Sequence, residues 1–169
     1  MESKGPIIGY WQIHGLGELA KLIMEFSGKP YQMQYFKNGP PPEFCPGSWL
    51  KVRETLGLDF PNLPYVIDGD LKISESMNVY LYLSEKYAPE LLGKSPASKA
   101  KILEGFFVIR CIKDALTAGC YAADTSKAKE SIESQAKKIK LIEDKLGDRD
   151  WIEGDTPSLA DLFLMEVVD

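Results

Sequence analysis

Residues 6–36 set a β-rich run, a glycine-rich break, one amphipathic helix and a second β-rich run in a row, a pattern that few folds accommodate. In the first run Ile7, Ile8, Tyr10, Trp11 and Ile13 read as a buried strand. His14-Gly15-Leu16-Gly17 breaks it. Leu19, Leu22, Ile23 and Phe26 then fall at i, i+3, i+4 and i+7, which is one face of a helix. Gly28 and Pro30 stop that helix. Residues 31–36 alternate apolar or aromatic with polar side chains and read as a second strand. A strand–helix–strand unit of this kind makes its two strands parallel.

Residues 38–48 hold four prolines and two glycines and read as a long surface loop. Residues 49–56 form a short helical segment ended by Gly57. Residues 65–67 and 71–73 are short strands around the hairpin signal Asp68-Gly69-Asp70. Residues 76–87 are helical, with Met77, Tyr80, Leu81 and either Leu83 or Ser84 on successive turns. Beyond a linker-like stretch at 88–97 every segment is helical: 99–121, then 126–146 as one helix closed by Gly147, then a third opening at Ser158. Ser158 is a good N-cap, and Asp161 three residues on can return the bond as in a capping box. The expected fold is an α/β domain at 1–87 with element order β-α-β-α-β-β-α, the linker 88–97, and an incomplete all-α domain at 98–169. The last helix is strongly apolar and runs to the final residues, which suggests a C-terminally truncated chain; a natural short form is the other reading.

Twenty Lys and Arg against 25 Asp and Glu give a net charge of −5, which does not suggest a nucleic-acid partner. Three cysteines at wide spacings and a single histidine leave neither a zinc cluster nor a CxxC dithiol site, so no metal is expected. They read as reduced thiols of a cytoplasmic protein. The N-terminus lacks the apolar run of a signal peptide. No stretch of 18 apolar residues is present, so no membrane span is expected.

Tyr10 stands in the first strand, just before the loop leading to the first helix. Open α/β sheets bind ligands beyond the carboxyl ends of their strands. A phenol there can donate a hydrogen bond to a thiolate; packing in the core is the plainer reading. Leu63-Pro64 precedes a strand, where proline is tolerated and a cis bond would turn the chain. Glu75-Ser76 lies where a hairpin meets a helix, either as a plain N-cap or as a seat for a carboxylate on unpaired amides. Trp49 and Arg53 are four apart and share a face on a short helix, which makes them surface packing or an anion clamp.

Gly9-Tyr10-Trp11, the segment at Trp49, the run Gly57-Leu58-Asp59-Phe60-Pro61-Asn62-Leu63-Pro64-Tyr65, Ile67-Asp68-Gly69 and Ile73-Ser74-Glu75-Ser76 together resemble the mu class of glutathione S-transferases. Residues 154–161 match a pattern typical of that superfamily's helical domain. The resemblance implies a thioredoxin-like first domain, a helical second domain and a cis Leu63-Pro64 bond. It implies glutathione as co-substrate, a hydrophobic electrophile and a homodimer. It casts Tyr10 as activator of the thiol, with Tyr10, Trp11, Leu16, Trp49, Arg53, Asn62, Leu63, Glu75 and Ser76 holding glutathione. Tyr121 would stand near the electrophile, and Phe60 would insert into the partner subunit.

Three departures accompany the likeness. Arg53 stands where the family usually has lysine, and Glu75 where it usually has glutamine. Cys111 stands where the family has an aspartate that reaches the partner's glutathione, which favours a second reading: a non-catalytic binder of glutathione or hydrophobic ligands. A dithiol oxidoreductase is excluded, because Tyr10 occupies the motif region and no CxxC is present.

Overall fold

The computed structural model describes residues 5–40, 44–121 and 125–168. They form two compact units, residues 1–89 and 90–169.

The first unit opens with strand β1 (Ile7–Trp11), helix α1 (Gly15–Ser27) and strand β2 (Gln32–Phe36). β1 and β2 are parallel, with Ile7 opposite Gln32 and Tyr10 opposite Tyr35. The expected crossover unit is therefore present, although β1 ends two residues before Ile13. The helix begins at Gly15, inside the glycine-rich break. Its buried stripe is Leu19, Ala20, Ile23 and Met24, while Leu22 is half-buried and Phe26 is 37 % exposed. Counting only bulky residues placed the face about one position too far round, because Ala20 and Met24 help to set its centre. Gly28, in the left-handed region at φ +63°, closes α1 with its N–H on the Glu25 carbonyl.

After β2 the chain runs irregularly; Pro41 and Pro42 of the expected surface loop lie outside the described residues. Ser48 pins this loop, accepting from the Lys37 N–H at 3.1 Å and donating to the Lys37 carbonyl at 2.6 Å. The helical segment expected at 49–56 is in fact two pieces, α2 (Gly47–Leu50) and a separate 3-10 turn at Arg53–Thr55. Strands β3 (Tyr65–Asp68) and β4 (Leu71–Ser74) form the hairpin, and α3 (Ser76–Tyr87) follows at once. The sheet order is β2-β1-β3-β4, with β3 antiparallel to both neighbours. Helix α3 buries Val79, Tyr80, Leu83 and Ser84.

Asp68 ties the hairpin to the far end of α3. One of its oxygens accepts from Tyr82 at 2.7 Å, Lys86 at 2.7 Å and Tyr87 at 2.5 Å. Burial alone would raise its carboxyl, but these donors outweigh burial and hold it below the ordinary carboxylate value. Burial and the bond to Asp68 push the Tyr87 phenol up to about 12.

Within the stretch expected as a linker, Pro89–Leu92 is a 3-10 turn whose Leu91 and Leu92 are buried. The second unit is helical among its described residues: α4 (Pro96–Cys120), α5 (Thr125–Ser134), α6 (Ala136–Leu146) and α7 (Leu159–Val168). Ser95 and Ser98 form a reciprocal capping box at the head of α4, with Pro96 in its first turn.

The single helix expected at 126–146 is broken at Gln135. There the Gln135 N–H bonds three residues back to Ile132 at 3.0 Å. Two serine hydroxyls beside the break bond to carbonyls, Ser134 to Ser131 and Ser131 to Ala115 of α4, both at 2.6 Å. Such side-chain bonds compete with the regular ladder.

The core of this unit stacks Phe106 on Phe163 at 4.6 Å between ring centres. Lys113 and Glu166 form an ion pair beside it, their side chains only 12 % and 5 % exposed. Lys113 Nζ also sits 5.6 Å from the centre of the Phe163 ring. At the head of α7 the capping exchange is half as expected. Asp161 accepts from the Ser158 N–H at 2.8 Å, but the Ser158 hydroxyl donates to the same carboxylate at 2.5 Å. The other carboxylate oxygen takes the Ile152 N–H at 2.8 Å.

Candidate functional site

Tyr10 is nearly buried, 7 % exposed, on the last turn of chain before β1 gives way to α1. Its hydroxyl oxygen accepts the Leu16 N–H at 2.8 Å. That amide belongs to the first turn of α1, where N–H groups lack helical partners and the partial charge is positive. The carbonyl of the same Leu16 accepts from the Tyr80 hydroxyl of α3 at 2.6 Å. The phenol is therefore fixed by a residue that is itself fixed from the other side. Space for the ring comes from glycine. A methyl group on Gly17 would lie 2.4 Å from Cδ1 of Tyr10, and one on Gly15 would lie 2.7 Å from its hydroxyl. His14-Gly15-Leu16-Gly17 is thus both the strand breaker and the socket for the phenol.

Tyr10 belongs to one buried cluster with Phe36, Trp49, Leu58, Leu63 and Tyr65, and Trp11 and Leu16 pack against it. The structure therefore gathers Tyr10, Trp11, Leu16, Trp49 and Leu63. Trp49 is 6 % exposed and stacks on Tyr65 at 5.9 Å, with Phe36 edge-on at 5.2 Å. Burial raises the Tyr65 phenol.

The expected pairing of Trp49 with Arg53 on one helical face does not form. Helix α2 ends at Leu50, so the i, i+4 relation lapses, and the aromatic stack turns the indole inward. Arg53 lies in the following 3-10 turn and pairs with Glu54 at 2.8 Å.

The second group meets at the corner between β4 and α3. The Leu63–Pro64 bond is cis, as the resemblance implied. Asn62 donates from its amide nitrogen to Glu75 Oε1 at 2.8 Å, and the Leu63 N–H donates to Asn62 Oδ1 at 2.9 Å. Glu75 is the residue just before α3 and has φ +69°, a left-handed value that costs a side-chain-bearing residue energy and recurs at ligand sites. Ser76 opens α3, so the positive end of that helix begins beside the Glu75 carboxylate. An acceptor and a positive helix end side by side suit a ligand end bearing both an ammonium and a carboxylate.

The remaining expected residues are exposed. Phe60 is 77 % exposed on the loop before the cis bond, and Tyr121 is 79 % exposed at the end of α4. Cys45, Cys111 and Cys120 are free and exposed. Among the described residues, no three His, Cys, Asp or Glu side chains group closely enough to hold a metal ion. No described helix is long and apolar enough to cross a membrane.

Sequence reasoning missed the amide of Leu16 as partner to the phenol. A strand tyrosine five residues ahead of the helix start at Gly15 was the available signal. It also missed the bonds from Lys72 and Ser74 into the loop at 56–60, which nothing in the pattern announced.

A four-stranded mixed sheet with the order found here, a cis proline ahead of β3 and a helical unit behind it define a thioredoxin-like protein with an all-α second domain. Solved structures agree on the fold. The glutathione S-transferase from Ascaris lumbricoides superposes with a TM-score of 0.78 at 22 % identity, covering 96 % of this chain and 78 % of that one. The glutathione S-transferase Blo t 8 does so at 0.77 and 24 %, covering 96 % and 74 %. Residues 98–169 match the glutathione S-transferase C-terminal domain. Among curated relatives, glutathione S-transferase 2 of Gallus gallus is 35 % identical over 165 residues, which is 96 % of this chain and 73 % of the relative. Glutathione S-transferase Mu 1 of Bos taurus is 33 % identical over 166 residues, covering 96 % and 74 %. This chain belongs to the glutathione S-transferase family, and it is similar to mu-class members.

Proposed function

We propose that this protein is a glutathione S-transferase in which Tyr10 stabilises the thiolate of glutathione for attack on hydrophobic electrophiles. The observation that carries the reading is the nearly buried phenol whose oxygen takes an amide from the first turn of α1. A hydroxyl that accepts such a bond is polarised and donates more strongly. A free thiol, with a pKa of about 8.5, is only about 3 % thiolate at pH 7. A donated bond beside a helix N-terminus favours the anion, and a downward shift of about two units leaves roughly three quarters of it reactive. The sulfur then forms a bond to the electrophilic carbon while the leaving group departs with its electron pair, or while the conjugated system takes up the charge. Tyr10 keeps its proton throughout and acts by hydrogen bonding, and binding supplies alignment.

In this reading Trp11, Leu16, Trp49, Arg53, Asn62, Leu63, Glu75 and Ser76 hold glutathione, Leu63 through its backbone. Residues 1–87 are the glutathione-binding domain and 98–169 the helical domain, joined by 88–97, and Tyr121 touches the electrophile. The exposed Phe60 suits insertion into a second subunit, so the working form is a homodimer. A cytoplasmic detoxification role fits its free thiols. The test is a pH titration of the glutathione thiol on the protein by ultraviolet difference absorbance, with Tyr10→Phe alongside. We expect a pKa well below that of free glutathione, lost in Tyr10→Phe together with about a hundredfold in turnover. Binding with an unshifted pKa, or unchanged turnover in the variant, overturns the role of Tyr10 and leaves the non-catalytic binder.

A further inference from the structure

Three hydrogen bonds knit the loop ahead of the cis proline to the β4–α3 corner, and two of them come from residues outside the expected site. Lys72 Nζ donates to the Leu56 carbonyl at 2.8 Å. The Ser74 hydroxyl donates to the Phe60 carbonyl. Asn62 donates to Glu75 at 2.8 Å. Lys72 and Ser74 alternate along β4, so their side chains leave the same face of the strand.

Ser74 stands at the junction of everything that shapes this end of the site. It is 7 % exposed and pairs across the ladder with Tyr65, one residue after Pro64. Its carbonyl accepts from the Asn78 side chain at 3.3 Å, and its next neighbour is Glu75 at φ +69°. The loop it grips has little else to hold it. Between the buried Leu58 and Leu63, residues Asp59, Phe60 and Asn62 are exposed and form no regular structure. The Asn62–Glu75 bond joins two exposed side chains, which makes it a weak anchor by itself.

We propose that Ser74 is a positioning residue for glutathione. By holding the Phe60 carbonyl, its hydroxyl keeps the loop bearing Asn62 and Leu63 in register with the α3 start bearing Glu75 and Ser76. This rests on the reading of those four residues as ligand contacts. With the anchor in place the ligand meets a formed cradle; without it, binding must also order the loop, and affinity falls accordingly. Alanine at position 74 removes the donor and leaves the Phe60 carbonyl without it. Threonine keeps a hydroxyl and suits a strand.

The experiment uses the full chain, with glutathione as the probe, well below the unfolding midpoint. Ser74→Ala is expected to bind glutathione about tenfold more weakly and Ser74→Thr within about threefold of wild type. In turnover the loss falls on the KM for glutathione and spares kcat at saturation. Without ligand, amide exchange at residues 59–63 of Ser74→Ala is faster while the β3–β4 ladder is unchanged. Wild-type affinity in Ser74→Ala, or unaltered exchange at 59–63, overturns the proposal, as does failure of threonine to rescue. A wild-type chain that binds no glutathione overturns the ligand reading instead, and the exchange measurement still decides whether Ser74 anchors the loop.

Discussion

Replacing Asp161 with alanine strips the head of α7 of three hydrogen bonds at once. The carboxylate accepts the amides of Ile152 and Ser158, each at 2.8 Å, and the Ser158 hydroxyl at 2.5 Å. Both amide-bearing residues are 1 % exposed, so water does not readily replace the lost acceptor. Bonds to a charged partner are worth about 1.5–3 kcal/mol each, and an N-cap alone about 1 kcal/mol. Two orphaned amides and a lost cap place the cost near 4–7 kcal/mol. Small domains have about 5–15 kcal/mol in total, so the helical unit would sit at the edge of folding. The assay is urea unfolding of the full chain by far-ultraviolet circular dichroism, extrapolated to water. Asp161→Asn keeps an acceptor for Ile152 and loses the one facing Ser158, so its loss should be intermediate. A cost below about 1 kcal/mol for alanine, or equal costs for both variants, would refute the view that this carboxylate organises the helix start.

Ser84→Ala should stabilise the first unit by about 1 kcal/mol in the same assay, because the fully buried Ser84 hydroxyl has no hydrogen-bond partner among the described residues and alanine favours the helix. Lys113→Ala should destabilise the second unit by about 3–5 kcal/mol by removing a cation that faces the buried Glu166 carboxylate, whereas the double change Lys113→Met, Glu166→Leu should come close to wild type. A double variant as unstable as the single one counts against that account. Asp68 supplies a pH dependence. Its carboxyl is held below the ordinary value when folded, so its stabilisation is complete above about pH 4 and is lost as pH falls through the lowered value. Asp68→Asn should flatten the acid limb of midpoint against pH, and an unchanged acid limb would remove Asp68 from the explanation.

The elements that could be read from sequence were those whose signal is local. The strand–helix–strand opening, the hairpin at Asp68-Gly69-Asp70 and the helix start at Ser158 each depend on residues within a few positions, and each is present. The break at Gln135 was hidden because serines are compatible with a helix until a neighbour such as the Ala115 carbonyl offers a bond. Trp49 reads on a short helical segment as a surface residue, yet it is claimed by Phe36 and Tyr65, 13 and 16 positions away. Lys113 and Glu166 show the same limit, since nothing near either residue announces an ion pair across 53 positions. The residues proposed to hold glutathione were named only through resemblance. Their grouping depends on the meeting of β1, the loop before Pro64 and the head of α3, which no single stretch encodes.

The slot that receives Tyr10 is cut by Gly17 along the ring and by Gly15 at the hydroxyl. Phenylalanine would fill the part of it that holds the ring and leave the Leu16 amide in want of its phenol acceptor. Under the role proposed for Tyr10, loss of that one oxygen switches the transfer chemistry off while the socket keeps its shape. Descendants that bind and carry without reacting lie a single substitution from an enzyme built on this plan.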